Sequence, residues 1–361
     1  MSDASTDTAS GARTEPTSTA PSVKESAPAP PTGPVKTPFL APYDGIKPPA
    51  PAKLTSEQET KYDNVLKTVS SWKEIPDTLE KNSKLSPITD DERMFLTREC
   101  LLRYLRATKW NAAEASKRLM NTLTWRRDYG VDKHTADYIS PENETGKQVI
   151  AGYDNDARPC LYLNPAKQNT KKSDRQIQHL VFMLERVIDM MVPGQDTTAL
   201  LINFKESTSG SNPSVGQGRQ TLHILQTHYP ERLGRAFVIN IPWPVWTFFK
   251  LISPFIDPLT REKLKFNEGI RQYVPPAQLL TTHGGDAQFE YDHSIYWPTL
   301  NKIAAERRAA YRERWVKAGR RVGEHETYLR GGDEPCLVEI EKAKVAPAPP
   351  AAEPLTNIVS A

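Results

Sequence analysis

The chain has 361 residues, a net charge of +3 and 38% hydrophobic residues. That length permits one large or two modest domains, and the charge is too weakly basic to argue for a nucleic-acid partner, though it is compatible with brief visits to anionic membranes. Cys100, Cys160 and Cys336 are scattered and odd in number; this argues against a disulfide framework or zinc site and fits reduced thiols in the cytosol.

Residues 1–53 are rich in Pro, Ala, Ser and Thr and short of aliphatic side chains, so they read as a disordered tail. The start carries Asp3 and Asp7 with no apolar run, and is not expected to be a secretory signal. Residues 54–130 follow a helical pattern, with Leu101, Leu102, Leu105, Leu119, Leu123 and Trp125 supplying apolar faces and Gly130 placed to stop the last helix. This is a helical N-terminal lobe.

Residues 131–298 alternate. Residues 160–163 read as a strand, 176–191 as a helix, 199–204 as a continuous apolar strand, 221–227 as a helix and 237–241 as another strand. A short edge strand is expected at 264–266. The order argues for an α/β fold with a mostly parallel sheet covered by helices on both faces. Residues 299–343 form a basic C-terminal helix and extension, read as a docked helix with a solvated basic face or, alternatively, a membrane-facing surface. Residues 344–361 read as a second disordered tail.

The stretch 235–266 is the most distinctive. It begins as a strand, continues through two Trp and three Phe, and ends on Thr260, Arg261, Glu262 and Lys263. Pro242, Pro244, Pro254 and Lys250 argue against a membrane span. An apolar wall beside a cation and a hydroxyl points to a lipid pocket, with a ligand-free core helix as the rival reading.

Catalytic motifs are missing. Residues 210–218 lack the spacing and the lysine of a phosphate loop and read as a flexible loop. There is no Gly-x-Ser-x-Gly elbow and no His-Glu-x-x-His pair. His223 and His228 read as structural. A non-enzyme is expected.

Three stretches together resemble the CRAL-TRIO lipid-binding family: 101–110 (LLRYLRATKW) with 125–130 (WRRDYG), 228–235 (HYPERLGR), and 254–263 (PFIDPLTREK) followed by Gly284-Gly285. Within it, residues 152–170 and 178–191 look most like the fungal phosphatidylinositol transfer proteins of the branch linked to drug tolerance. The resemblance implies a deep apolar pocket in the α/β lobe and a helical gate over residues 245–256. Trp246, Phe248, Phe249, Leu251 and Phe255 would form the moving face. The family's head-group site carries over to Lys109, Glu231, Thr260 and Lys263. Lys263 and Thr260 would take the phosphate, Glu231 the inositol hydroxyls or Lys263 itself, and Lys109 would add positive potential. Thr108 stands where the family's pattern has a second basic residue. An ordinary structural ion pair is the rival account of Glu231 and Lys263.

The implied function is exchange of phosphatidylinositol between membranes without any cofactor beyond the bound lipid, with sterol as a second candidate ligand. Lipid kinases would be the beneficiaries. The place of action would be the cytoplasm, peripherally on endoplasmic reticulum, lipid droplet or plasma membrane. A lipid-sensing regulatory adaptor without efficient transfer is the competing function.

Overall fold

The computed structural model describes residues 33–345, apart from 209, 212, 213 and 257 and the side chains at 248, 252, 255, 259 and 345. The compact unit that carries the fold begins at Pro34.

Short polar side chains set where the first helices begin. Thr55, Thr89, Thr97 and Asn111 each accept a hydrogen bond from a backbone N–H three residues on, satisfying a donor the helix cannot. They start α1 (Ser56–Ser70), α2 (Asp90–Phe95), α3 (Arg98–Ala107) and α4 (Ala112–Tyr129). Gly130 ends α4 with φ 73°, a conformation that glycine adopts without a side-chain clash. Val65, Val69, Leu101, Leu105, Leu119 and Leu123 form the core of this lobe. A small hairpin, β1 (Glu74–Pro76) with β2 (Leu85–Pro87), interrupts the helices. The apolar pattern gives no sign of it, because three-residue strands are too short to show a period.

After α5 (Ala136–Asn143) the second lobe is built on five strands: β3 (Gln148–Tyr153), β4 (Pro159–Leu163), β5 (Thr198–Asn203), β6 (Leu233–Ile239) and β7 (Leu264–Phe266). They lie side by side in chain order, with β3 antiparallel to β4 and the rest parallel. The connections carry α6 (Asp174–Asp189), α7 (Val215–His228), and the pair α8 (Trp243–Ile252) and α9 (Pro258–Glu262). Because each parallel strand lies one place further in the same direction, right-handed crossovers put these helices on one face. Residues 270–297 cover the other, where Phe237 packs 5.1 Å from the Tyr273 ring and the Tyr162 hydroxyl accepts from the Leu280 N–H. Gly285 belongs to that cover; a Cβ there would fall 1.8 Å from the Leu279 carbonyl oxygen. The chain closes with α10 (His293–Lys317), α11 (Glu326–Leu329) and α12 (Leu337–Val345). Among the described residues no helix is long and apolar enough to cross a membrane.

Three expectations change. Residues 215–218 are not loop: Ser214 caps α7, and Gly216, Gln217 and Gly218 form its first turn. The stretch 34–53 does not behave as a tail. Val35 pairs with Phe289, Phe39 packs on the core, and the Leu40 and Ala41 carbonyls accept from Arg307 and Gln278. Finally, the basic face of α10 stays partly exposed but is committed to carboxylates of other elements. Arg308 pairs with Asp189 at 3.5 Å, Arg312 with Asp91, and Arg320, just beyond the helix, with Asp90 at 2.9 Å. The helix docks through its charges, onto α2 and α6.

Candidate functional site

The two faces of the sheet differ in how well they are filled. Strand residues alternate between faces, and the pairing places Tyr162, Leu201 and Phe237 in one row and Leu163, Leu200, Ile202, Val238 and Phe266 in the other. Tyr162, Leu201 and Phe237 are completely buried. On the helix side Leu163, Leu200, Ile202 and Phe266 are only half-buried, although β5 is the middle strand. A parallel sheet normally has both faces covered. Here the α7–α8 side leaves apolar side chains within reach of a ligand.

Above that row lies α8. Val245 packs with Phe204 and Val238, while Trp246 and Phe249 rest on Phe266 at 4.9 and 5.4 Å between ring centroids. The opposite side of α8 faces outward, with Trp243 78% and Leu251 51% exposed. Of the five residues expected on the apolar inner face, Trp246 and Phe249 lie there. Leu251 does not; it belongs to the outer surface, because at 100° per residue it falls on the far side from Val245 and Phe249. The Phe248 and Phe255 side chains lie outside the described residues. Trp243, the most exposed large apolar residue of α8, is not singled out by the sequence; its place just ahead of Pro244 gives no periodic signal.

The rim holds the expected ion pair. Lys263 immediately precedes β7, and its Nζ lies 4.0 Å from a Glu231 carboxylate oxygen, each side chain about one-quarter exposed. Thr260 is joined to Lys263 through the backbone, its carbonyl accepting from the Lys263 N–H at 3.2 Å. The Lys263 carbonyl in turn accepts from Ala236 on β6. Glu231 has φ 60°, a left-handed value that costs a residue with a side chain of order 1 kcal/mol or more. Its neighbour Arg232 holds the turn in place, donating to the Asp196 carbonyl at 2.9 Å and lying 3.8 Å from Glu326. Lys109 stands apart. It is exposed at the end of α3, with φ 51°, and among the described residues no hydrogen bond or ion pair joins its side chain to Glu231 or Lys263. The structure therefore brings together three of the four predicted head-group residues.

Behind this turn the lobes are fastened by buried charge. Glu326 accepts from Arg103 and from the Thr97 hydroxyl, both at 2.8 Å, and lies 3.4 Å from Arg330. Burial pushes its carboxyl up, but Arg103, Arg232 and Arg330 outweigh that and hold it well below the ordinary carboxylate range. His228 is a structural histidine, bonded to Thr122 at 3.0 Å and stacked on Trp125 at 4.1 Å; burial, first of all, lowers it to about 3. Among the described residues no His, Cys, Asp and Glu cluster could hold a metal ion.

A helical lobe leads into a largely parallel sheet, and an apolar row lies half-buried beneath one covering helix. The CRAL/TRIO domain matches residues 143–285, and the CRAL/TRIO N-terminal domain matches residues 61–121. A CRAL-TRIO domain-containing protein of Schizosaccharomyces pombe is 57% identical over 85% of this chain, which spans 30% of that relative's length. The phosphatidylinositol transfer protein PDR17 of Saccharomyces cerevisiae is 37% identical over 81% of this chain and 91% of its own. A solved structure, that of Sfh5, overlaps 61% of this chain and 84% of its own at 15% identity, with a TM-score of 0.45. The chain belongs to the CRAL-TRIO family.

Proposed function

We propose that this protein binds phosphatidylinositol and exchanges it between membranes, with α8 as the gate. The half-buried apolar row beneath α8 carries the reading. An acyl chain laid along Leu200, Ile202 and Phe266 would remove surface from water at about 0.8 kcal/mol per methylene. The contacts that hold α8 down are dispersive, and an acyl chain can replace them without leaving a polar group unpaired. The name of the budding-yeast relative supports the same ligand. Lys263 would face the phosphate and Thr260 would donate to it, while Glu231 would orient Lys263 or accept from inositol hydroxyls. Lys109 is assigned a weaker role, as positive potential at the entrance. Trp243 and Leu251, exposed on the outer side of α8, would enter the membrane interface, where tryptophan is favoured. Sterol, if carried, would use the apolar row alone.

Vesicle-to-vesicle transfer tests this. Lys263→Ala should lower phosphatidylinositol transfer by about tenfold or more, the worth of one charge-assisted contact, and leave sterol transfer unchanged. Phosphatidylinositol transfer that survives the substitution would remove the head-group assignment. Binding without exchange would turn the reading toward a lipid sensor.

A further inference from the structure

A cavity of about 410 Å³ lies between the N-terminal lobe, α6 and the C-terminal helices, and none of the described residues lining it belongs to α8 or α9. One side is apolar, formed by Met94, Phe95, Ile188, Met191 and Leu329. Most of the remainder is charged. Three of its arginines each have a carboxylate partner: Arg126 bonds both oxygens of Glu185 at 2.8 and 3.1 Å, Arg127 pairs with Glu92, and Arg308 with Asp189.

One end carries surplus cation. Among the described residues Arg307 donates to the carbonyls of Met190 and Leu40, Arg314 donates to that of Leu329, and neither has a carboxylate at ion-pair distance. Arg330 shares the single carboxylate of Glu326 with Arg103 and Arg232. Its side chain is 8% exposed, yet its Nε has no hydrogen-bond partner. Arg314 reaches the same turn, close enough that a Cβ on Gly331 would fall 2.8 Å from an Arg314 nitrogen. A buried donor without an acceptor is costly, and an anion at this end would relieve it. The terminal nitrogens of Arg330 donate to the Ile188 and Met191 carbonyls and to Glu326, so Nε is the donor it has to offer. Guanidinium N–H groups suit phosphate oxygens in charge and geometry, and the volume falls within the span of small-molecule sites.

We propose that this cavity is a second binding site, for a small organic phosphate held by Arg314 and Arg330 with its apolar part against Ile188 and Leu329. Arg307 adds charge from the preceding turns of α10. Arg232 lines the cavity from the turn that carries Glu231, so this site and the rim of the lipid site are adjacent without sharing a ligand residue. The assignment does not depend on which lipid the apolar row takes.

The test is calorimetric titration of the full chain with soluble dihexanoyl phosphatidic acid and with inorganic phosphate. Saturable binding is expected, unchanged in Lys263→Ala and weaker by about tenfold in Arg314→Gln. Displacement of the lipid probe by inorganic phosphate would identify a free phosphate as a sufficient ligand. Retention against inorganic phosphate would assign the apolar wall a share of recognition; either result upholds the site. Absence of binding by both probes overturns it, as does equal binding by Arg314→Gln or loss of binding in Lys263→Ala. Should Arg314→Gln fail to fold, phenylglyoxal labelling of the unaltered chain decides. Protection of Arg314 by the probe, read by peptide mass spectrometry, upholds the site, and undiminished labelling overturns it.

Discussion

The junction at Glu326 and the underside of α8 are both places where separate parts of the chain meet, and they are held by opposite physics. At Glu326 three arginines from α3, the turn before β6 and the end of α11 converge on one buried carboxylate. Such contacts are directional, and losing one partner strands the others in a poor solvent. Beneath α8 the contacts are aromatic rings on aromatic rings and Val245 on Val238. They tolerate sliding and replacement, and no charge is exposed or stranded when they part. The contrast teaches where motion is permitted: the lobes are locked together by charge, while α8 is held by contacts that can part without stranding one.

The largest effect should come from breaking the lock. Glu326→Ala leaves Arg103, 3% exposed, without its 2.8 Å partner, and should cost about 3–5 kcal/mol in urea unfolding. A loss under about 1 kcal/mol would mean that the junction is not held by charge. An intermediate effect is expected next door, at Glu99, whose carboxylate accepts from the Glu326 N–H at 2.7 Å. Burial, and then the Glu326 charge, push its carboxyl up to about 7. With the folded value raised, the native chain holds a proton that the unfolded chain has lost, so stability falls as pH rises from about 4.5 to about 7. Glu99→Gln should therefore stabilise the protein at pH 8 by about 2 kcal/mol, less than the full shift because the side chain is still 20% exposed. The gain should shrink toward pH 5, and an equal gain at both would remove the titration argument. The smallest stability effect belongs to α8. Trp243→Ala should change unfolding free energy by no more than about 0.5 kcal/mol while clearly reducing sedimentation with anionic vesicles. Unimpaired vesicle binding would take the outer face of α8 out of the membrane contact.

The same division decides what can be read from the sequence. The strands at 160–163 and 199–204 and the helix at 176–191 are local patterns of apolar residues, and each is found within a few residues of its expected place. The brief edge strand at 264–266 is also there, and Glu231, Lys263 and Thr260 lie together at the rim. The lock is not legible. Glu326 sits in a polar stretch, HETYLRGG, with no period to mark it as buried, and its partners Arg103 and Arg232 are remote in the chain. The arginines of α10 read as a solvated or membrane-facing surface for the same reason: Asp90, Asp91 and Asp189, which neutralise them, are far away in sequence. Leu251 fails on different grounds, since in a run of apolar residues the buried side of a helix is fixed by what it packs against.

The strap formed by residues 34–53 has a consequence for how this chain is made. Its carbonyls at Ala41 and Leu40 bond side chains 237 and 267 positions later. A ribosome releases those early residues long before Gln278 and Arg307 exist, so the strap must wait undocked while the sheet assembles. Closing so long a loop slows folding more than it weakens the product. A stretch made early is thus among the last to find its place, and Tyr153 and Phe289 stay uncovered on the nascent chain until it does.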